Sequence, residues 1–471
     1  MPEEQEFYDT DKMRILLVSA SVLMCAAYVF LCTLNTFFAL IFAVMAAIAY
    51  CFMRNPDLSF AAYVFLLPFV YSPFFYALPG PLSAFKLQSL LLILTAGLFI
   101  LYKRMHKTGG VFKLFVIILP ALYAVGWIRS GDYMLKVFSA NLVGKLPVAS
   151  YLFNYASWTV LSFAPFLMIG LFCRTRGEIE KVIRILACST MLIAGFMAMI
   201  FLLKVSDRSN FEAIRAELAA WTGMHGNDIS NYCVLSFPVI LAWAMTKKSV
   251  LSVLSLCAIV ASTSLTFSRT GYLLIIMGLF LYLMFSGKLK WLPVTAIVLA
   301  VALVFFVPDI ILERAVMGLS EGDANELSAG RVDFLWVPLI HELFNNPQKI
   351  LFGMGRYGIT RTDVWMQGRI SNYVHAHNAF LDCVLDMGII GLGIILILFA
   401  VVIVHFFRTA KKTKETLPFC SNLLNGCLVS VICFLIAGMT GRSFFPNQGN
   451  FYLWIVLGLG FSVARLCENY Q

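Results

Sequence analysis

Long apolar runs, separated by short charged or turn-forming stretches, occupy most of the chain after residue 14. Each run approaches the ~20 residues that a helix needs to cross the hydrocarbon core of a membrane. None has the period-two alternation of lipid-facing barrel strands. The pattern predicts an all-α polytopic membrane protein with about 14 transmembrane helices. The predicted spans are residues 15–32, 36–53, 58–78, 84–102, 112–128, 156–173, 184–204, 229–246, 249–267, 271–286, 291–307, 379–405, 418–438 and 450–466.

Composition agrees with this pattern, since 61% of the 471 residues are hydrophobic and 13% are charged. Soluble domains are usually about 25% charged, so an ordinary soluble enzyme and a disordered chain are both excluded. The first twelve residues are acidic and lack the basic region of a signal peptide. We therefore expect the first apolar run to be retained as a span.

The basic residues indicate which side each connection faces. An even number of spans places both termini on one side of the membrane. If that side is the cytoplasm, 20 of the 35 Lys and Arg residues lie in cytoplasmic connections and 15 lie outside, as the positive-inside rule requires. The net charge of +10 then follows partly from topology, and nucleic-acid binding is not needed to explain it.

Lysine and arginine are distributed differently between the two sides. On this topology the inside has 12 Lys and 8 Arg, whereas the outside has 5 Lys and 10 Arg. The planar guanidinium group suits diphosphates and carboxylates. The outward excess of arginine is therefore open to two interpretations: ordinary salt bridges in the loops, or a site for an anion on the outer face.

Three outer connections are long: about 129–155, 205–228 and 308–378. In the longest, residues 331–344 have apolar positions at helical spacing and are followed by Asn345-Asn346-Pro347, which is typical of a helix end. We expect a helix–turn–helix lid on the outer membrane face, followed by a turn at Gly353, Gly355 and Gly358.

Two arginines in the outer connections are candidates for binding an anion. Arg269 lies in the tight turn Ser268-Arg269-Thr270-Gly271, at the membrane boundary, where an unpaired charge costs a few kcal/mol. It could contact lipid phosphate by extending its side chain, or it could face an anionic substrate. Arg215 precedes Gly226 in the loop before the eighth span. It could equally belong to an ordinary amphipathic loop helix.

The stretch Val374-His375-Ala376-His377-Asn378 leads into the twelfth span. Histidine is the side chain best suited to general acid–base catalysis near neutral pH. The alternative is an interfacial histidine followed by Asn378 as a helix cap. Further metal ligands at suitable spacing are missing, so no metal site is predicted.

Two acids and one more arginine lie near these motifs. Asp382 and Asp386 continue the helix face of Asn378 at i+4 spacing, and acids within a span need a partner or a water-filled cavity. We expect them to orient an arginine or a histidine, or to form a structural pair. Arg442, in the last outer loop, could reach the site or anchor that loop.

Taken in order, these motifs resemble the signature of bacterial O-antigen ligases and the related O-antigen and exopolysaccharide polymerases. The histidine motif is His377-Asn378, nine residues, then Gly388-x-x-Gly391, and it follows the two arginine motifs. Ala329-Gly330-Arg331, with Trp336, Asn346-Pro347 and Gly353-x-Gly355, resembles the beginning of the family's large outer loop. The resemblance covers about residues 205–405. It divides the chain into a transmembrane bundle (1–204), a family core (205–405) and a C-terminal helix pair (406–471).

The resemblance implies a fold related to the membrane-embedded GT-C glycosyltransferases and a location in the bacterial inner membrane. Both termini would be cytoplasmic, and the active site would face the periplasm. The donor would be a glycan linked through diphosphate to undecaprenol, transferred to a sugar hydroxyl without cofactor or metal. Other expected partners are the glycan or lipid-linked acceptor and further membrane proteins of polysaccharide assembly.

The same resemblance assigns roles to individual residues. Arg215 and Arg269 would neutralise the leaving diphosphate, and His377 would act as general base towards the acceptor hydroxyl. Attack opposite the leaving group would invert the anomeric carbon. The residues expected to bind substrate are Arg331, Asn378, His375, Asp382 and Arg442.

Three functions remain open from the sequence. Fourteen spans are more than ligases commonly have, which favours a polymerase, whose acceptor is another undecaprenyl-linked glycan. An O-antigen ligase would instead transfer the glycan to lipid A–core. A transporter or flippase of lipid-linked glycans is a different class, and it should have paired broken helices or internal repeats, neither of which is evident in the sequence.

Overall fold

The computed structural model describes residues 44, 47–76, 84–137, 148–294, 325, 328, 330–441 and 443–470. For 75–76, 84–86, 132–137 and 148–156 only the backbone is described. The predicted span 15–32, parts of the spans 36–53, 58–78 and 291–307, and Arg442 lie outside these residues. Parts of the long connections 129–155 and 308–378 lie outside them as well. The chain separates into two compact units, Met1–Ala62 and Tyr63–Gln471. The packing and the site described below belong to the second unit.

The described part of the chain forms helices and turns and contains no strand, which confirms the all-α prediction. The longer helices are α1 (Pro56–Leu66), α2 (Ala84–Tyr102), α3 (Gly110–Val137), α4 (Val148–Phe172), α5 (Arg176–Leu203), α6 (Phe211–Thr222), α7 (Gly226–Lys247), α8 (Val250–Leu265), α9 (Arg269–Phe285), α10 (Val337–Phe344), α11 (Pro347–Phe352), α12 (Ala379–Lys412), α13 (Pro418–Ala437) and α14 (Phe451–Glu468).

Among the described residues, six helices are long and apolar enough to cross a membrane: α3 as far as Gly131, α5, α7, α12, α13 and the segment Gln448–Glu468. Five more apolar helices are shorter. The predicted span 58–78 is not one continuous helix, because α1 leads into the turn Leu67–Phe69 and a separate short helix, Pro73–Tyr76. Proline at 68 and 73 removes the N–H groups that a continuous helix needs. The chain is a multi-pass membrane protein, and the total of fourteen spans stays a prediction.

Helices α7, α13 and α14 form the interior of the bundle. In the most apolar window of each, 72%, 78% and 89% of the residues are buried, whereas only 22% are buried in α3. Helix α7 packs mainly on α13 and α8, and α14 packs on α4 and α13. Contacts of this kind hold a bundle together in lipid through close packing, because the hydrophobic effect between helices is weak there.

The connections at one end of the bundle, here named the basic end, contact one another through charged side chains. Lys103 lies 3.3 Å from Glu178, and Lys247 lies 3.3 Å from Glu180. Arg465 donates to the carbonyls of Gly170 and Cys173. These are connections that the alternation of spans assigns to the cytoplasm, so the alternation agrees with the structure here. The other end carries the loops around 205–225, 330–378 and 438–450 and is named the loop end.

Helix α12 is broken near its beginning, at the loop end. Gly388 has φ 74° and ψ −179°, which separates a short piece, 379–387, from a long one, 389–412. All 34 residues as a single straight helix would measure about 51 Å, well beyond the ~30 Å of a membrane core. The long piece alone is sufficient to span it. Asp382 and Asp386 are therefore on a short, separate piece at the loop end.

The long outer loop contains the expected helix–turn–helix. A π turn, Val332–Trp336, leads into α10, and α11 follows after Asn345 and Asn346. The side chain of Asn346 accepts a hydrogen bond from Lys349 N and so caps α11. The outer loop packs on the short piece of α12 through an apolar cluster. Its buried members are Leu335, Leu339, Leu343, Met354, Ile359, Trp365, Ile370, Ala376, Leu381 and Leu385.

The glycine turn after α11 packs its backbone directly against the break in α12. Gly353 and Gly388 both adopt a conformation that is almost exclusive to glycine. A Cβ on Gly353 would lie 2.4 Å from Met387 N, and one on Gly388 would lie 2.1 Å from Leu351 O. The N–H groups of Met354 and Gly355 donate to the carbonyls of Leu385 and Asp386. The predicted turn is confirmed, and its role is to join the loop to α12.

We predict that Gly388→Ala destabilises the protein by at least about 2 kcal/mol, because it combines a forbidden backbone conformation with a steric clash. The measurement is thermal unfolding of the purified protein in detergent. Gly393→Ala, further along α12, is the matched control, since a Cβ there meets nothing within 4 Å. It should leave the transition unchanged or raise it. Equal unfolding temperatures for the two variants would contradict this account of the break.

Candidate functional site

Three helices begin side by side at the loop end: α7 at Gly226, α9 at Arg269 and α12 at Ala379. A Cβ on Gly226 would lie 3.1 Å from Thr266 O, in the turn before α9. The hydroxyls of Thr270 and Thr440 are 3.2 Å apart, and Gly438 O accepts a hydrogen bond from Ala379 N. The segment 437–441 therefore links the second arginine motif to the histidine motif.

Arg215 lies half-buried on α6, the amphipathic loop helix that was one of the two interpretations. Its Nε is 3.7 Å from the position that a Cβ on Gly226 would occupy. The spacing of the first arginine motif is thereby explained. Gly226 leaves room for the Arg215 side chain and for the turn that carries Thr266.

Arg269 is the first residue of α9, and Ser268 caps that helix through a hydrogen bond from Gly271 N. A helix N-terminus offers unsatisfied N–H groups and a partial positive charge, so an arginine there strengthens a natural anion-binding position. A Cβ on Gly271 would be 2.0 Å from the hydroxyl of Ser230. Helix α9 therefore packs directly on α7, close to the beginning of both helices.

His377 is held in a left-handed conformation, with φ 50°. Both backbone polar groups of the preceding residue, Ala376, are hydrogen-bonded. Its N–H donates to Asp382 Oδ1 at 2.7 Å, and its carbonyl accepts from Trp336 Nε1 at 2.8 Å. The following residue, Asn378, caps α12 by accepting from the N–H groups of Phe380 and Leu381. The backbone on both sides of His377 is therefore set before any ligand binds.

The two histidines are in contact. The ring centroids of His375 and His377 are 4.1 Å apart, edge to face, and Tyr373 lies 5.9 Å from His377. His377 also belongs to a wider pattern. Phe267, next to the second arginine motif, and Tyr357, in the glycine turn, are further non-glycine residues with positive φ at the loop end. Backbone strain of this kind is concentrated at functional sites.

A cavity of about 220 Å³ lies beside the histidine motif. Four aromatic side chains line it: Tyr71, Tyr123, Trp158 and Tyr357. His375 also lines it, together with the charged residues Asp228, Arg356, Asp382 and Asp386. Two predicted site residues, His375 and Asp382, are thus brought to this cavity. Arg215, Arg269, Arg331 and His377 are not among its lining residues.

A buried ion pair joins the glycine turn to α12. Arg356 Nη1 is 2.5 Å from Asp386 Oδ2, and the two side chains are 16% and 5% exposed. The other oxygen of Asp386 accepts from Gly358 N. Burial alone would lower the pKa of Arg356, but Asp386 outweighs it and raises that pKa above its ordinary value. Asp386 does pair with an arginine, as expected, although the sequence did not indicate Arg356 as the partner.

Other outward-facing arginines also hold the loop. Arg129 donates to Phe352 O and Gly353 O, and Arg361 donates to Met354 O and Ser130 O. For these arginines and for Arg356, a structural role in the loop accounts for the side chain. Only part of the outward arginine excess is therefore left for substrate.

Two residues expected to bind substrate, Arg331 and Asn378, do not line the cavity. Arg331 is half-buried at the start of the π turn in the outer loop, five residues before Trp336. Asn378 lies next to His377, but its side-chain oxygen is engaged in capping α12. A role for Arg331 in binding substrate stays a prediction, and Asn378 acts first as the helix cap.

Comparison with known proteins supports the resemblance. Residues 250–396 match a family model described as O-antigen ligase. The match runs from α8 through the outer loop into α12, and it includes Arg269, Arg331 and His377 but not Arg215. No curated protein matches the chain. This match supports the resemblance to O-antigen ligases and related polymerases, and it supports a function of that type in the assembly of surface polysaccharides.

We predict that Arg356→Met destabilises the protein by about 3–5 kcal/mol, because it leaves the Asp386 carboxylate buried without its charge partner. Thermal unfolding in detergent measures this. The double variant Arg356→Met/Asp386→Asn should recover part of the loss, and Arg369→Ala, an exposed arginine of the same loop, should be neutral. If Arg356→Met unfolds like the wild type, the pair does not hold the loop.

Proposed function

We propose that this protein is a glycosyltransferase that moves an undecaprenyl-diphosphate-linked glycan onto a sugar hydroxyl at the outer face of the bacterial inner membrane. Of the two activities of this kind, polymerase and ligase, we favour a polymerase of surface polysaccharide. The observation that carries the proposal is the convergence of three helix N-termini at the loop end. The first is the start of α7 at Gly226, with Arg215 beside it. The second is the start of α9 at Arg269, and the third is the start of α12, whose cap Asn378 follows His377.

The leaving group explains why such an arrangement suits the reaction. Undecaprenyl diphosphate departs as an anion, so the catalyst must stabilise negative charge that grows in the transition state. Arg269 and the N-terminus of α9 provide a fixed positive charge together with N–H donors. Arg215 adds a second guanidinium next to the beginning of α7. We propose that these groups replace a metal ion, which agrees with the lack of an Asp-x-Asp motif in the outer loops.

His377 is the proposed general base. It takes the proton of the acceptor hydroxyl while the acceptor oxygen bonds to the anomeric carbon of the donor. The bond from that carbon to the diphosphate oxygen breaks on the opposite side, so the configuration inverts and undecaprenyl diphosphate leaves. The backbone hydrogen bonds of Ala376 to Asp382 and Trp336 support this role, because they fix the backbone from which the His377 side chain extends.

Two helix breaks bear on the alternative of a lipid-linked glycan flippase, for which paired broken helices would be expected. Helix α3 has a non-helical residue at Gly131, and α12 has one at Gly388. Both breaks lie at the loop end. A Cβ on Gly355 would lie 2.9 Å from the backbone at Arg129 and Ser130, and Gly353 packs on the break in α12. The breaks are thus accounted for by loop docking, and the enzyme remains the better proposal.

Ligase is the second candidate, because the matching family model is described as O-antigen ligase. The preference for a polymerase depends on the predicted number of spans. Gel analysis of surface glycan from a deletion strain distinguishes them. Glycan of a single repeat unit identifies a polymerase, whereas full-length glycan left on undecaprenyl diphosphate identifies a ligase.

We predict that His377→Ala lowers glycan transfer at least about 100-fold, because the acceptor hydroxyl loses its base. Arg269→Ala should lower it by about 10²- to 10³-fold through loss of charge stabilisation. Transfer is measured by complementing the deletion strain and by assay of the purified protein with a lipid-linked donor.

His341→Ala and Arg369→Ala are the matched controls, because both side chains are exposed on the same outer loop. Both should retain full activity, and all four variants should reach the membrane in equal amounts. Full activity of His377→Ala at normal protein levels would refute the proposed mechanism.

A further inference from the structure

We propose that the cavity beside the histidine motif is the subsite for the acceptor sugar, and that it takes one uncharged sugar ring. This inference rests on the proposed function and adds a ligand class and specific binding residues to it. The cavity has a volume of about 220 Å³, which is below the ~300 Å³ at which pockets for drug-sized ligands begin. A ligand of one ring fits this size better than an extended chain.

Three side chains that line the cavity retain polar atoms with unmet hydrogen-bonding capacity. Asp382 Oδ2, Arg356 Nε and Gln448 Nε2 are buried and have no hydrogen-bond partner within the described part of the chain. Asp382 is only 8% exposed, and its other oxygen is already used by Ala376 N. Buried polar groups without partners are costly and call for an explanation. A sugar hydroxyl donates and accepts at once, so it can satisfy both the carboxylate oxygen and the nitrogen donors.

Four aromatic side chains form part of the cavity wall, where they can pack against the C–H faces of a sugar ring. Tyr71 and Trp158 pack together with centroids 5.2 Å apart, and Tyr123 and Tyr357 lie on the cavity as well. The Tyr123 hydroxyl is 2.7 Å from the Thr159 hydroxyl, which fixes one of these rings. A small set of placed polar groups within an aromatic wall is the usual composition of a small-molecule site.

The position of the cavity assigns it to the acceptor and not to the donor. His375 lines it, and the His375 ring is in contact with the His377 ring. Arg215 and Arg269, the residues proposed for the diphosphate, do not line it. A ring bound here is therefore near the base and separate from the leaving-group site.

Charge in the cavity favours a neutral sugar. Three acidic side chains line it, those of Asp228, Asp382 and Asp386, and the single guanidinium, that of Arg356, is already paired with Asp386. A uronic acid would bring a further negative charge towards Asp228. Like charges at short range in a partly buried site repel strongly, so hexoses and N-acetylhexosamines are the expected ligands.

The test measures binding of a panel of methyl glycosides to the full-length protein in lipid nanodiscs by saturation-transfer NMR. The panel contains glucose, galactose, N-acetylglucosamine and glucuronic acid. We expect at least one neutral glycoside to bind and the glucuronide to bind at least tenfold more weakly. Asp382→Asn and Gln448→Ala should each weaken binding roughly five- to tenfold, as loss of one hydrogen bond implies. Gln367→Ala, an exposed amide of the outer loop, should not alter it.

Gln448→Ala keeps the test valid if Asp382→Asn disturbs folding through Ala376. The subsite is wrong if no neutral glycoside binds, if the glucuronide binds as well as the neutral sugars, or if neither variant weakens binding. None of these results decides the proposed function, which is tested separately by measuring glycan transfer in the His377→Ala variant. If His377→Ala abolishes transfer while glycoside binding is unaffected by both subsite variants, only the subsite is refuted.

Discussion

The docking of the outer loop on the short piece of α12 is the constraint on which the candidate site depends. Backbone meets backbone at Gly353 and Gly388, and the buried pair of Arg356 with Asp386 holds the same junction. A buried ion pair is weak evidence for added stability, but it fixes geometry because neither charge tolerates separation. The docked loop carries Trp336 to the carbonyl of Ala376, next to His377. The backbone position of the candidate base therefore depends on the docking of the outer loop at Gly353 and Gly388.

The same arrangement separates two uses of arginine on one face of the molecule. Arg129 and Arg361 donate to backbone carbonyls and hold the loop in place. Arg215 and Arg269 instead lie where α7 and α9 begin, close to N–H groups and positive helix ends. Rigid, always-charged side chains suit both purposes, because the guanidinium group hydrogen-bonds in a fixed plane. The site that results is positive at the helix ends and acidic and aromatic in the adjoining cavity.

Local signals in the sequence predicted the helices and the caps well. Apolar runs of sufficient length predicted α2 to α5, α7 to α9, α13 and α14, and Asn346 marked the turn between the lid helices. The break at Gly388 was not predicted, because a glycine inside an apolar run is also compatible with a continuous span. The cavity was not predicted either. Its lining comes from positions as distant as Tyr71 and Gln448, which only tertiary packing brings together, and Arg356 looked like an ordinary residue of a glycine turn.

The central claim is that the helix N-termini with Arg215 and Arg269 hold the diphosphate. It is tested most directly by binding of undecaprenyl diphosphate to the purified protein in nanodiscs of uncharged lipid. The account predicts that binding weakens as salt is raised, because its origin is electrostatic, that Arg269→Gln weakens it at least about tenfold, and that His377→Ala leaves it unchanged. Equal binding by Arg269→Gln and the wild type at low salt would contradict the account.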